Sequence, residues 1–319
     1  MNIVVLDGHT LNPGDHSWDG VAALGEFIVY DRTSPASIIE RAREADILLV
    51  NKAPLTAEVI AQLPRLRFVS LLATGYDNVD VAAARQRGIP VSNVPEYATD
   101  AVAQHIFALL LELTNRVALH DAAVKAGEWT ASIDFSFWKT SLVELAGMKM
   151  GIVGFGRIGS RVAQIATAFG MEVLAYNPRP KKAPAGVRVT WTDLAVLFEE
   201  ADVITLTTRQ TADNVGFVDR ELFAAMKKSA YFINTARGTL VNERDLADAL
   251  NSGALAGAAV DVVSREPISP TNPLLNARNC LITPHIAWAS FAARKRLMEQ
   301  TTRNVEAFLR GNPVNVVNP

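Results

Sequence analysis

Short, almost uninterrupted apolar runs alternate along this chain with longer segments of helical periodicity, and this alternation constrains the fold more than any other feature. Residues 3–6, 47–50 and 68–71 are buried-strand candidates, each separated from the next by a helix-like stretch. Strand–helix–strand repetition needs crossover connections, so the strands run parallel with helices on the faces of the sheet. A long helix is expected from about 99 to 119, because Val102, Ile106, Leu109, Leu110, Leu113 and Val117 recur at helical spacing behind Thr99 as N-cap. A polar, aromatic loop follows: Gly127-Glu128-Trp129, then Phe135-Ser136-Phe137-Trp138. The rhythm restarts near Lys149 with strands expected at 150–153, 172–176, 203–206, 231–234, 257–260 and 280–283, and a charged helix at 291–309 closes the chain. Two α/β domains with parallel sheets, Rossmann-like or flavodoxin-like, are implied. Residues 100–287 form the second, inserted between 1–99 and the returning segment 288–319.

Composition removes whole classes. With one cysteine, Cys280, there is no intramolecular disulfide and no Cys-based zinc site, and no metal is expected. Cys280 sits in an apolar strand and reads as core filling. A net charge of −2 without a long Lys/Arg run excludes a dedicated nucleic-acid binder. The longest apolar stretch, 101–113, carries Gln104, His105 and Glu112 and is too short to span a bilayer. The N-terminus reads directly as a strand, with no basic region or cleavage site, so a soluble, cytoplasmic protein is expected.

Gly154-Phe155-Gly156-Arg157-Ile158-Gly159 is a G-x-G-x-x-G between an expected strand and an expected helix at 157–169. In that setting the first glycine permits a tight turn, the second lets backbone approach a pyrophosphate, and the third lets helix and strand pack closely. The helix N-terminus adds free N–H groups and partial positive charge. Gly154, Gly156, Arg157, Ile158 and Gly159 are therefore candidate dinucleotide contacts. The ribose-reading position follows the next strand, where an acidic residue favours NAD(H). Here neutral Asn177 is followed by Arg179, Lys181 and Lys182. Three cations and no carboxylate favour a 2′-phosphate, so NAD(P)(H) is expected with a lean to NADP(H); alternatively Asn177 bonds a plain ribose.

Three charged or titratable residues fall at the ends of late strands, where open α/β sheets bind ligands: Arg237, Glu266 and His285. Taken singly they read as a surface ion-pair partner, a turn residue before Pro267 and a cap at a helix start. Their order changes that. Asn234-Thr235-Ala236-Arg237-Gly238, Asp261-Val262 with Glu266-Pro267, and Thr283-Pro284-His285-Ile286-Ala287, behind such a glycine loop, resemble the D-isomer-specific 2-hydroxyacid dehydrogenases over essentially the whole chain. The strings Asp7-Gly8-His9-Thr10-Leu11-Asn12-Pro13-Gly14-Asp15, Ala98-Thr99-Asp100-Ala101-Val102-Ala103-Gln104-His105, Ala126-Gly127-Glu128-Trp129 and His285-Ile286-Ala287-Trp288-Ala289 resemble its glycerate dehydrogenase (hydroxypyruvate reductase) branch.

The resemblance implies reduction of a small 2-keto acid, hydroxypyruvate or glyoxylate, by hydride transfer from NAD(P)H. The chemistry suits the residues. His285 is a proton donor able to work near neutrality, Glu266 orients its ring and favours the imidazolium, and Arg237 offers a fork to the substrate carboxylate. The resemblance also implies that Asp261 bonds the nicotinamide amide, that Thr235 and Ala236 line its pocket, and that backbone N–H groups at Ala73, Thr74 and Gly75 hold the substrate carboxylate. Many relatives carry His-x-Pro-Leu-Thr where this chain has Thr207-Thr208-Arg209-Gln210-Thr211, so cofactor contacts at Thr207 and Thr208 belong to an altered pocket wall. A homodimer is implied, with the 101–113 helix contributing to its interface and Trp138 reaching a neighbouring active site; core packing of the aromatic loop is the alternative. A 3-phosphoglycerate dehydrogenase-like enzyme and a dinucleotide-sensing corepressor-like scaffold are the rival functions. Turnover separates the scaffold from an enzyme.

Overall fold

Each of the continuous apolar runs is a strand, and those in the middle of the sheets, such as 47–50, 68–71, 203–206, 231–234 and 257–260, are buried throughout. The computed structural model describes residues 1–319 and divides into two compact units, Met1–Ala98 with Ala289–Pro319, and Thr99–Trp288.

The first unit carries β1 (Asn2–Val5), β2 (Glu26–Val29), β3 (Ile47–Val50), β4 (Phe68–Leu71) and β5 (Val91–Ser92), all parallel in the order β2-β1-β3-β4-β5. That is the flavodoxin-like order. β3 and β4 are buried throughout, and Leu48, Val50, Val69 and Leu71 pack with Ile38 and Ile60 from flanking helices. The helix Phe291–Leu309 returns to this unit, capped by the Ser290 hydroxyl, and Phe308 stacks on Phe68 with ring centroids 4.5 Å apart. Asp15 meets Arg294 of that helix through two contacts of 2.6 Å, and the His16 ring lies 4.2 Å from Phe291. The loop after β1 is thereby fastened to the last helix.

The second unit carries β6 (Lys149–Val153), β7 (Glu172–Tyr176), β8 (Val189–Trp191), β9 (Val203–Leu206), β10 (Tyr231–Asn234), β11 (Gly257–Val260) and β12 (Cys280–Ile282). Its parallel sheet runs β12-β11-β10-β9-β6-β7-β8, the dinucleotide-binding order extended by one strand. β6, β9, β10 and β11 form its buried middle, and burial pushes the Cys280 thiol up to about 12.

Three strands escaped the sequence pattern. β5 has only two residues and the edge strand β8 only three, too short for an apolar run, whereas the edge strand β2 carries the short run Phe27-Ile28-Val29 that the reading passed over. The helix expected from 99 to 119 is two helices, Thr99–Asn115 and Val117–Lys125. Between them Arg116 is left-handed (φ 50°), and the Thr114 hydroxyl donates back to the Leu110 carbonyl at 2.9 Å, a bond that competes with the regular helix ladder. Val102, Ile106, Phe107, Leu109, Leu110 and Leu113 of the first helix are buried in the chain itself, and Phe107 stacks on Phe169 at 5.3 Å. No helix is long and apolar enough to cross a membrane.

Candidate active site

The strand order of the second sheet reverses between β6 and β9, and the glycine loop leaves β6 at that point. Two of its glycines are required by packing. A Cβ on Gly154 (φ 94°) would lie 2.6 Å from Thr208 backbone atoms, and one on Gly159 would lie 2.4 Å from the Gly154 carbonyl oxygen. The middle one differs: nothing lies within 4 Å of the Cβ position of Gly156, so the backbone faces open space where the helix Arg157–Ala168 begins. No side chain caps that helix, which leaves first-turn N–H groups such as that of Ile158 available to an anion. A crowded turn with one open glycine at an uncapped helix start fits a dinucleotide pyrophosphate. The buried Thr235 hydroxyl, which has no partner in the protein, adds a polar group facing no internal acceptor.

Two expected cofactor residues act as struts of this loop. The Asn177 side chain accepts from the Phe155 N–H at 3.0 Å and donates to the Arg179 carbonyl at 2.6 Å. The Thr207 hydroxyl donates to the Gly154 carbonyl. Arg179, Lys181 and Lys182 are exposed on the turn beyond.

Past β11 and β12 the chain brings together two of the charged residues, Glu266 and His285, while Arg237 follows β10 with its guanidinium donating to the Ala236 carbonyl at 2.8 Å. The His285 Nδ1 lies 2.7 Å from a Glu266 carboxylate oxygen, both side chains being partly exposed. His285 is left-handed (φ 55°), a conformation that costs a non-glycine residue on the order of 1–2 kcal/mol. Asp261 holds it there. The His285 N–H donates to the Asp261 carbonyl at 2.8 Å, and the Ile286 and Ala287 N–H groups each reach the Asp261 carboxylate at 2.8 Å. Asp261 is almost fully buried. Burial opposes its charge, yet hydrogen bonds from His105, Thr283, Ala287 and Ile286 hold its carboxyl below the usual carboxylate range.

Arg237 is shaped by a residue the motif reading passed over. The buried Asn234 side chain accepts from the Ala236 N–H at 3.0 Å and donates to the Arg237 carbonyl at 2.9 Å, turning the backbone directly beneath the guanidinium. Gly238 then lets this turn lie against the loop that bears Glu266, since a Cβ there would sit 1.9 Å from the Val263 carbonyl carbon. Glu243 fixes the same loop by accepting from the Ser264 N–H and hydroxyl at 2.6 and 2.7 Å and from Asn272 at 2.9 Å. The pairing Arg237-Gly238 was the signal for the first of these packings; Glu243, on a separate helix, left none.

In the first unit, Ala73, Thr74 and Gly75 follow β4. Their loop is tied to β5 by Val94 N–H to the Ala73 carbonyl at 2.9 Å, by the Thr74 hydroxyl to the Val94 carbonyl at 2.7 Å and by Asn93 to the Thr74 carbonyl at 2.7 Å. The carbonyls and the hydroxyl are thus committed inside the protein, while the N–H groups of Thr74 and Gly75 donate to no protein atom. Trp138 lies elsewhere, exposed on the 127–142 loop with Trp129, Ile133, Phe135 and Leu142, so this loop is not core packing within the chain.

Residues 107–287 match the model of the D-isomer specific 2-hydroxyacid dehydrogenase NAD-binding domain. The chain is 49% identical to a hydroxypyruvate reductase of Blautia hydrogenotrophica over the full length of both, and 39% identical to a glycerate dehydrogenase of Methylorubrum extorquens over 92% of each. Among solved structures it resembles an NADPH-dependent glyoxylate/hydroxypyruvate reductase from Sinorhizobium meliloti in complex with NADP and malonate, with a TM-score of 0.83, 28% identity and coverage of 99% of this chain and 96% of that one. The chain belongs to the D-isomer-specific 2-hydroxyacid dehydrogenase family and is an NAD(P)-dependent oxidoreductase.

Proposed function

We propose that the chain reduces hydroxypyruvate, and glyoxylate with it, to the D-2-hydroxy acid, and that it prefers NADPH. The 2.7 Å His285–Glu266 pair, in one unit with Arg237 and the glycine loop, is the observation that carries this reading. Bound through Gly154, Gly156, Arg157, Ile158 and Gly159, with Thr235, Ala236, Asp261 and Thr208 nearer its nicotinamide, the dinucleotide supplies the hydride. Arg237 binds the substrate carboxylate as a two-pronged donor, aided by the N–H groups at Ala73, Thr74 and Gly75. Since Nδ1 of His285 is turned to Glu266, its Nε2 is the atom that gives a proton to the substrate carbonyl oxygen and takes one back in the oxidative direction. Glu266 keeps the ring in that orientation and balances the charge it carries.

In this reading residues 1–99 with 288–319 hold the substrate, and 100–287 hold the cofactor. Arg179, Lys181 and Lys182 support the preference for a 2′-phosphate, as does the NADPH dependence named for the Sinorhizobium meliloti relative. The exposed Trp129, Ile133, Phe135 and Trp138 support a homodimer, in which a second copy covers the loop and Trp138 closes over the neighbouring site. The single thiol suits the reducing cytoplasm.

The test is the loss of nicotinamide absorbance with hydroxypyruvate, glyoxylate and 3-phosphohydroxypyruvate, using NADPH and NADH in parallel. Rapid turnover of the first two with NADPH is the expected result. Preference for the phosphorylated acid overturns the substrate, preference for NADH overturns the cofactor, and tight dinucleotide binding without turnover favours a sensing scaffold.

A further inference from the structure

Close to the turn that carries His285 lies a partly buried polar group for which the proposed reaction has no use. His105, on the helix Thr99–Asn115, places its Nε2 3.1 Å from the Thr283 hydroxyl oxygen and 3.5 Å from an Asp261 carboxylate oxygen, with its side chain only 19% exposed. The Thr283 hydroxyl lies 2.6 Å from that same Asp261 oxygen. A hydroxyl has one hydrogen, and an ionised carboxylate can only accept. Thr283 therefore donates to Asp261, its oxygen is left as acceptor, and His105 must present Nε2–H to it. This fixes one direction along the relay. His105 donates to Thr283, Thr283 donates to Asp261, and Asp261 receives the N–H groups of Ile286 and Ala287 on either side of its two oxygens.

We propose that His105 is a positioning residue for the proton donor, acting through Thr283 and Asp261 to hold the 285–287 turn in the left-handed conformation that aims His285 at Glu266. The inference rests on the reading of His285 given above and deepens it. The turn needs such support. His285 occupies an unfavourable backbone region, and the turn that holds it is fastened to one residue, His285 N–H to the Asp261 carbonyl and Ile286 and Ala287 N–H to its carboxylate. A buried carboxylate keeps a single orientation only while its acceptor sites are satisfied from several directions, and Thr283, itself held by His105, bonds the same Asp261 oxygen that accepts from Ile286. Because His105 belongs to a helix packed against β10 and β11, the orientation is referred to the sheet and not to the loop alone.

The test compares His105→Leu, which removes the donor, with His105→Gln, whose amide N–H restores it, each measured two ways. The first is steady-state kinetics with hydroxypyruvate and NADPH, together with NADPH affinity from protein fluorescence. For H105L we expect kcat to fall at least tenfold while KM for the keto acid and the NADPH Kd stay within about twofold; H105Q should return to within about threefold of the parent kcat. The second is amide hydrogen exchange at Ile286 and Ala287 without substrate, which should quicken in H105L and recover in H105Q. An unchanged kcat with unchanged exchange overturns the proposal. So does a loss confined to the NADPH Kd, which would mean that the relay serves the Asp261 contact with the nicotinamide and not the turn that carries His285. If H105L fails to fold, Thr283→Val against Thr283→Ser breaks and restores the same relay under the same criteria. Exchange needs no turnover, so an inactive parent enzyme would overturn the proposed reaction while the clamp was still judged.

Discussion

Each sheet reverses its strand order once, and the two crevices so formed are used in opposite ways. In the second unit the reversal lies between β6 and β9, and glycines clear the space beside an uncapped helix start. In the first it lies between β1 and β3, and the Asp7 carboxylate, just past β1, accepts from the N–H groups of Asn51, Lys52 and Ala53 just past β3. Three successive N–H groups converging on one point make an anion site. The first unit satisfies its site with its own carboxylate; the second leaves its N–H groups for a ligand. Position in the topology therefore does not by itself make a binding site. What decides is whether the chain supplies the anion.

The strongest way to sharpen this contrast is to remove chemistry from the second unit. His285→Ala deletes the proposed proton donor, and kcat with hydroxypyruvate should drop on the order of a thousandfold while NADPH still quenches protein fluorescence with near-parental affinity. A drop of less than tenfold would sink the assignment. Arg237→Lys keeps the charge but loses the planar fork, and kcat/KM should fall on the order of a hundredfold, mainly through KM. A preserved KM would move the carboxylate to other donors.

The next change converts the first crevice toward the second. Asp7→Ala leaves three N–H groups without an acceptor, and the loss of charge-assisted bonds should cost about 3 kcal/mol, read as a lowered urea midpoint. If the site is a self-occupied anion site, sulfate should restore part of that stability to D7A and do little for the parent. Equal stabilisation of both would show that the carboxylate merely braces the loop.

These cases also mark what could be read in the sequence. Arg237, Glu266 and His285 were legible because each sits in a short local string at a strand end, and the glycine loop because its spacing encodes a backbone shape. Asp7 stood in plain view within its motif, but its partners lie 44 to 46 residues away, and nothing local announces such a pairing. The same holds for His105, whose partner Thr283 is 178 residues distant. As an isolated histidine on a helix it carries no local signal of that pairing. The edge strand Val189–Trp191 was illegible for a different reason: three residues with a polar one in the middle make no apolar run. Long-range polar pairs and edges are set by tertiary placement, which no window along the chain contains.

The smallest effect concerns the outer end of the open crevice. Asn177 spends its side chain on the loop itself, so under the proposed NADPH preference the exposed cations that follow would read the 2′-phosphate. A single solvated charge contributes about 1 kcal/mol at most, and salt screens it. Arg179→Ala should therefore raise KM for NADPH only about fivefold, leave KM for NADH unchanged, and lose most of its effect when the parent and the variant are compared at high ionic strength. Reversing Arg179 to Glu should enlarge the NADPH penalty in the same direction, since repulsion replaces attraction at the same place. If both variants leave the NADPH to NADH ratio where it was, the turn after β7 does not read the 2′-phosphate. The second crevice would then resemble the first more closely than its glycines suggest, with its selectivity set by groups that the protein has already turned inward.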